Sequence, residues 1–497
     1  MSHDEATPPD GREIRLPYAL IPVLTLIGAL ALFVLVFEGT GHLPLVFAAT
    51  VAALVARAHG WRWPTIHAGM LEAIHMAMGA ILILLIIGML MGTWLASGVV
   101  PALIDWGLAL MSPSYFLPAT CAVCSIVSLV SGSSWSTAGT IGLALIGVGN
   151  AMDIDPAMTA GAVISGAYFG DKLSPMSDTT NLAPAMAGTD LFTHIRHMLW
   201  TTGPSWVIAM VAFTFLGWGL EGAGDPAVVG SITGVLEAKF DPGFRHLLPP
   251  LLVGFLVLRK APALPSLFAG ALAGALLAVV DAARAPEASS AGRAALDAFG
   301  QVMSAAMSGY QPETGNAAVD ELLARGGISS MSDTVLLILS AMIFGGVMER
   351  TGQLQTLART ALAKAKSTGS LVASAVLTSI GTNILAADQY ISVVVPGRMY
   401  ASAFEARGLH PKNLSRALED GGTITSPLIP WNTCGAFMAS TLGVATLTYL
   451  PFCFLNLLNP LISIVYGFTG ITIERLPDAS PDSNPDSNPG TDPSSGA

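Results

Sequence analysis

Residues 170–184, GDKLSPMSDTTNLAP, place Asp171, Lys172 and Asp178 in the middle of an apolar stretch long enough to cross a bilayer. A charged side chain at the bilayer centre costs roughly 2.5–3.5 kcal/mol on insertion scales, so three of them require protein or water around them. Gly170, Pro175 and Pro184 also interrupt the helix and free main-chain groups that hydrocarbon leaves unsatisfied. Broken backbone at that depth is tolerated only inside protein or against a water-filled cavity. The segment has a counterpart. Ser174-Pro175 matches Ser426-Pro427, 252 residues on, and Met186-Ala187 with Thr189 matches Met438-Ala439 with Thr441. Paired interrupted segments of this kind point to a substrate site at the bilayer midplane.

The rest of the composition agrees. Apolar residues make up 52% of the chain and charged residues 11%, against about 25% charged in a soluble domain. The net charge of -11 comes from acids in the tail and polar loops, and no basic patch points to nucleic acid. Cys121, Cys124, Cys434 and Cys453 all sit in apolar segments. The C-x-x-C lacks the second ligand pair of a zinc site and the βαβ setting of a redox motif, so buried small hydrophobes are expected. No phosphate-binding G-x-x-x-x-G-K-[ST] is present, which leaves ATP-driven chemistry unsupported. Residues 1–16 are polar, and the apolar run Pro17–Phe37 is too long for a signal-peptide core. Residues 471–497, rich in Pro, Ser and Asp, are expected to form a disordered tail.

Apolar runs of spanning character fall near 17–37, 43–57, 72–95, 157–187, 197–220, 246–258, 264–282, 333–349, 414–443 and 446–467. Two further blocks, 115–150 and 370–402, are too long for one helix and break at SGSSWSTAG (131–139) and GTNILAAD (381–388). If both are re-entrant hairpins, about ten spans remain. One side of the membrane then collects Arg57, Arg62, Arg196, Arg259, Lys260, Arg350, Arg359, Lys364, Lys366, Arg407, Lys412 and Arg416 with both termini. The positive-inside rule makes that side cytoplasmic. Gly92 and Gly98 match Gly346 and Gly352 at an offset of 254, and Gly132 matches Gly381 at 249. Equivalent loops carry opposite charge character, which predicts an inverted-topology repeat, about 72–220 and 333–467, inside a transporter domain at 17–470. The expected fold is thus an all-α polytopic membrane protein, two inverted repeats each holding a hairpin and a discontinuous helix.

The candidate ion ligands follow from chemistry. Hard cations take carboxylate, hydroxyl, amide and backbone oxygens. Asp171, Ser174, Asp178, Thr179, Thr180 and Asn181 supply them at the first break, with Asp178 the foremost candidate and Asp171 expected either to coordinate or to neutralise Lys172. Their structural alternative is a buried ion pair and polar helix glue. Thr382, Asn383 and Asp388 form a second set, where Asp388 either binds an ion or caps the returning helix. At a 249 offset its mate is Gly139, so the two halves differ in charge. Ser426, Asn432 and Thr433 form a third set. Glu419 and Asp420 are expected nearer the cytoplasmic end, where pairing with Arg416 competes with ion contact. Ser133 and Ser134 mark the first hairpin's tip, where tight packing also favours small residues.

At this point the residues resemble a family. GAYFGDKLSPMSDTTNLAPAMAGTDLFTHIRHML, GTNILAADQYISVVVPGRMY and LEDGGTITSPLIPWNTCGAFMASTLGV resemble NhaC-type sodium/proton antiporters, with likeness over roughly 17–470. The resemblance implies a bacterial inner-membrane antiporter exchanging Na+ for H+. It also allows Na+-coupled exchange of a small organic anion such as malate or lactate, with Lys172 or Arg398 meeting the carboxylate. No cofactor is expected, Na+ and H+ being cargo. The expected partners are the lipid bilayer and these ions, with a homodimer allowed. An intramembrane hydrolase built on Ser133 is the remaining rival, and it lacks a histidine at membrane depth.

Overall fold

The apolar runs fold as helices whose ends fall at Pro, Gly or a capping side chain. The computed structural model describes residues 13–37, 39–220, 226–259, 261–284 and 291–476. In the first half lie α1 (Leu16–Leu30), α2 (His42–Ala58), α3 (Trp63–Ala96), α4 (Val99–Leu110), α5 (Pro113–Ser131), α6 (Ser134–Thr137), α7 (Leu143–Ala151), α8 (Pro156–Leu173), α9 (Asp178–Ala187) and α10 (Leu191–Trp218). After α11 (Pro226–Phe240) and α12 (Leu248–Leu258) come α13 (Ala263–Arg284), α14 (Ala291–Ser308), α15 (Ala317–Leu323), α16 (Ser332–Arg350) and α17 (Gln353–Ala363). The chain continues with α18 (Thr368–Ala386), α19 (Gln389–Glu405), α20 (Pro411–Leu418), α21 (Thr433–Leu442), α22 (Thr446–Tyr449) and α23 (Phe454–Thr469).

Seven helical segments among the described residues are long and apolar enough to cross a membrane, or eight if the 87° bent pair at 433–452 counts as one. About ten were expected. The difference arises because α2, α4, α12 and α23 are short apolar helices, and because the two broken segments divide their residues between shorter helices. The surface is that of a polytopic membrane protein. Leu24, Ile27, Phe215, Trp218, Leu251, Leu276 and Leu461 face outward, whereas Lys172, Arg416, Glu419 and Asp420 are fully buried. Lipid solvates the first set, and only protein solvates the second.

Small residues let the backbones that frame the site approach closely. On α8, a Cβ at Gly166 would lie 2.2 Å from the Cys121 carbonyl oxygen, and one at Gly170 2.3 Å from the Leu129 nitrogen. Ser128 Oγ donates to the Ala167 carbonyl at 2.5 Å across the same seam. Cys121 and Cys124 are buried free thiols packed here, as small hydrophobes.

Several backbone features recur in corresponding places. Gly98 and Gly352 open α4 and α17 in the left-handed region at φ 76° and 74°, and Gly188 and Gly443 close α9 and α21 at 81° and 69°. Gly132, which closes α5 at φ 67°, is matched by Ala387, which closes α18 at 57°. Gly381, the expected mate of Gly132, lies inside α18. Ser133 and Asp388 each follow one of the two left-handed residues. Both are helix N-caps: Ser133 Oγ accepts from Ser136 N, and Asp388 Oδ1 from Tyr390 N and Ile391 N.

The expected tail also needs correction. Residues 471–476 fold back, with His410 N donating to the Glu474 carbonyl at 3.0 Å and Leu476 N to that of Gly408 at 2.8 Å. Residues 1–12 of the expected N-terminal segment and 477–497 of the expected tail lie outside the described residues.

Candidate functional site

Each broken helix ends for a local reason and is then met by a hairpin tip. α8 stops at Ser174-Pro175, because proline has no N–H to continue the ladder. The chain restarts at Ser177, whose Oγ accepts from Thr180 N to begin α9. The first tip rests on this break: a Cβ at Gly132 would lie 2.7 Å from both the carbonyl carbon and the Cβ of Met176. The second break, after a π-helical turn at Glu419–Thr423, restarts at Asn432, whose side chain accepts from Cys434 N. The second tip meets it through Thr433 N donating to the Ala387 carbonyl at 2.9 Å. Trp135 of the first tip stacks on Phe437 of α21, with centroids 4.0 Å apart, and joins the two halves.

Gly132→Ala is therefore expected to destabilise the protein by about 1–3 kcal/mol, from left-handed strain plus the clash with Met176. A lowered thermal midpoint in detergent, with reduced transport, checks it. An unchanged midpoint would show that the tip does not press on the break.

Between the tips and breaks lies a cavity of about 580 Å³ lined by Ser133, Ser134, Asp171, Ser177, Asp178, Thr179, Asp388, Gln389, Tyr390 and Thr433, with apolar walls from α3, Val257, Ala261, Pro262 and Ala263. Asp171 is buried and fixed: its Oδ2 accepts from Ser134 Oγ at 2.6 Å and Ser134 N at 3.1 Å. Asp178, in the first turn of α9, is exposed to the cavity. Asp388 is buried in the opposite wall, where it caps α19 through Oδ1 and also lines the cavity, so the capping and lining roles coexist. Among the described residues no Lys or Arg lines the cavity. Nor, among them, do three His, Cys, Asp or Glu side chains gather closely enough for a resident metal ion.

The other expected ligands brace this wall from behind. Thr180 Oγ1 donates to the Asp171 and Lys172 carbonyls at 3.1 Å each, holding the end of α8. Ser174 is buried at the break and its Oγ accepts from Met176 N, while Asn181 Nδ2 donates to the Pro175 and Ser177 carbonyls. Ser426 Oγ donates to the Thr423 carbonyl at 2.7 Å. Asn383 Nδ2 bonds the Gly422 carbonyl and Thr425 Oγ1, and its own Oδ1 accepts from Asn432 Nδ2 at 3.1 Å. Thr382 donates to the Thr378 carbonyl inside α18 and does not reach the cavity.

Three expectations are corrected. Lys172 pairs with Asp420, not Asp171, and its Nζ also donates to Asn459 Oδ1 at 2.8 Å. Asp420 is fully buried in that pair, which Thr201 Oγ1 joins at 3.2 Å. Arg416, the expected mate of Asp420, instead donates to Thr472 Oγ1 at 2.7 Å. Arg398 is exposed on α19 and does not line the cavity. The reason for the first correction is helical geometry: adjacent residues point about 100° apart, so α8 turns Asp171 to the cavity and Lys172 to α20–α23. Trp135, Gln389, Tyr390, Thr201 and Asn459 were missed; the signal for the last two was a polar residue within an apolar run.

A helical membrane protein with two broken segments around a carboxylate-lined cavity is a secondary transporter in form. A family model described as the Na+/H+ antiporter family matches residues 166–471. The Na+/H+ antiporter NhaC of Alkalihalophilus pseudofirmus is 39% identical over 456 residues, covering 92% of this chain and 96% of that protein. The malate-2H+/Na+-lactate antiporter of Bacillus subtilis is 36% identical over 468 residues, covering 92% and 96%. The arginine/ornithine antiporter ArcD of Halobacterium salinarum is 35% identical over 457 residues, covering 91% of each. The chain belongs to the Na+/H+ antiporter (NhaC) family, and is a transporter rather than an enzyme.

Proposed function

We propose that this antiporter exchanges Na+ for H+ across a bacterial cytoplasmic membrane, with the cation held in the cavity by Asp178 and Asp171 and faced by Asp388. The single observation that carries the reading is the lining: three carboxylates and several hydroxyls, with no Lys or Arg among the described residues. That set suits a small hard cation. It does not suit malate or lactate, whose carboxylate needs a cationic partner. The two side chains expected to provide one are sealed in an ion pair (Lys172) or outside the cavity (Arg398). The matched left-handed positions and the paired breaks support an inverted repeat, in which one bundle moves against the other around the site. The clustering of Lys and Arg on one side supports cytoplasmic termini.

The volume of the cavity admits a second reading, an amino acid bearing a cationic side chain, whose two positive groups suit three carboxylates although its α-carboxylate meets no Lys or Arg among the described residues. Proteoliposomes carrying an internal pH dye separate these. A pulse of Na+ is expected to drive proton efflux or uptake, while malate, lactate, arginine and ornithine do not. Flux driven by arginine but not Na+ would move the assignment to the second reading, and flux driven only by malate or lactate would overturn both.

A further inference from the structure

Away from the cavity lining lies a second cluster of polar side chains that the ion reading leaves unused. It is fully buried. Lys172, Glu419 and Asp420 are each 0% exposed, as are Thr201, Arg416 and Asn459. Lys172 neutralises Asp420, yet Glu419, its chain neighbour, has no hydrogen-bond partner at either carboxylate oxygen, and Asp420 Oδ2 and Thr423 Oγ1 also lack one. Residues Glu419–Thr423 form a π-helical turn, a distortion that recurs at functional sites. Among the described residues no ion pair or hydrogen bond fixes the Glu419 carboxylate, which leaves its oxygens available to a proton.

The charges around Glu419 are few. Lys172 and Asp171 of α8 and the adjacent Asp420 are within electrostatic reach. α18 contains no titratable side chain, and Tyr466, the one in α23, lies toward Arg416. From α19, Asp388 caps its own helix and Arg398 is exposed, and from α9 Asp178 opens to the cavity. On α20, Arg416 bonds Thr472 and Lys412 pairs with Glu474 near the surface.

Two histidines of α10 flank the cluster. His197, 5% exposed, is within electrostatic reach of Lys412 and Arg416, and His194, one turn earlier on α10, is 0% exposed and within reach of Lys172. His194 Nδ1 bonds Ser415 Oγ at 2.8 Å, and both histidines leave Nε2 without a partner. The geometry points to Glu419 as the carrier of the exchanged proton, in a buried polar cluster distinct from the residues that line the cation cavity. This rests on the Na+/H+ reading. One proton from water enters when the cluster opens to one side and converts the carboxylate to the acid. The same proton leaves when the other side opens, and no electron moves. Coupling to the cavity is direct, because Asp171 and Lys172 are consecutive and Thr180 ties both carbonyls.

Two modes of exchange in proteoliposomes test it: proton flux driven by a Na+ gradient, and isotopic Na+/Na+ exchange at fixed pH. In Glu419→Gln, proton-coupled flux is expected to fall by more than about tenfold, with Na+/Na+ exchange retained. Glu419→Asp is expected to restore proton coupling with a displaced pH profile. Retained proton coupling in Glu419→Gln overturns the assignment. So does loss of both modes in Glu419→Gln together with failure of Glu419→Asp to recover either. Wild-type protein that exchanges Na+ for Na+ but never for protons would overturn the underlying Na+/H+ reading, a result visible before any variant is made.

Discussion

Lys172→Met is expected to destabilise the folded protein by about 3–5 kcal/mol, the range measured when one member of a buried ion pair is removed. Lys172 and Asp420 are both 0% exposed, so neither water nor lipid headgroups can replace the missing partner. Asp420 would retain only Thr201 as a hydrogen-bond donor. The double variant Lys172→Met/Asp420→Leu removes both charges and is expected to recover most of the loss, since well-packed apolar replacements of buried pairs are often neutral. Thermal unfolding in detergent, followed by monodispersity on gel filtration, reads both. A single variant as stable as the parent, or a double variant no better than the single, would show that the pair is not a main support of the fold where α8 meets the Glu419–Thr423 turn.

Asp178→Asn is expected to leave stability nearly unchanged and to weaken Na+ binding by about tenfold or more, a loss of about 1.4 kcal/mol or greater. The side chain is exposed to the cavity, so its exchange for an isosteric amide disturbs no packing. It removes one of the three carboxylates that line the cavity. Both Na+-driven proton flux and Na+/Na+ exchange should fall at low Na+ and recover in part at high Na+, which distinguishes this variant from Glu419→Gln. Wild-type concentration dependence in Asp178→Asn would reassign coordination to Asp171 and Asp388.

The two carboxylates of the first break illustrate how far residue order reaches. Both were legible as site residues, because a charge beside Pro in an apolar run must be solvated by protein or by a water-filled cavity. Their different roles were not. Asp171 is held by Ser134, 37 residues earlier, while Asp178 opens to the cavity. Only the contact between hairpin tip and break separates them. The pairing of Lys172 followed the same pattern: proximity in sequence suggested Asp171, and the helix turned it to Asp420, 248 residues away. Asp388 was readable both as a cap and as a cavity residue, and the two readings proved compatible. Glu419 sits in a π-helical turn, which periodicity does not announce, and is fully buried there.

Sequence alone determined the membrane-spanning helical class, the two broken segments and the family, since each follows from local composition and from motifs that do not depend on folding. The tertiary structure alone decided which charges are paired, which face the cavity and which are sealed without a partner. Those outcomes depend on side-chain direction around each helix and on contacts between residues hundreds of positions apart. In a medium that solvates no charge, such contacts separate an ion site from an ion pair.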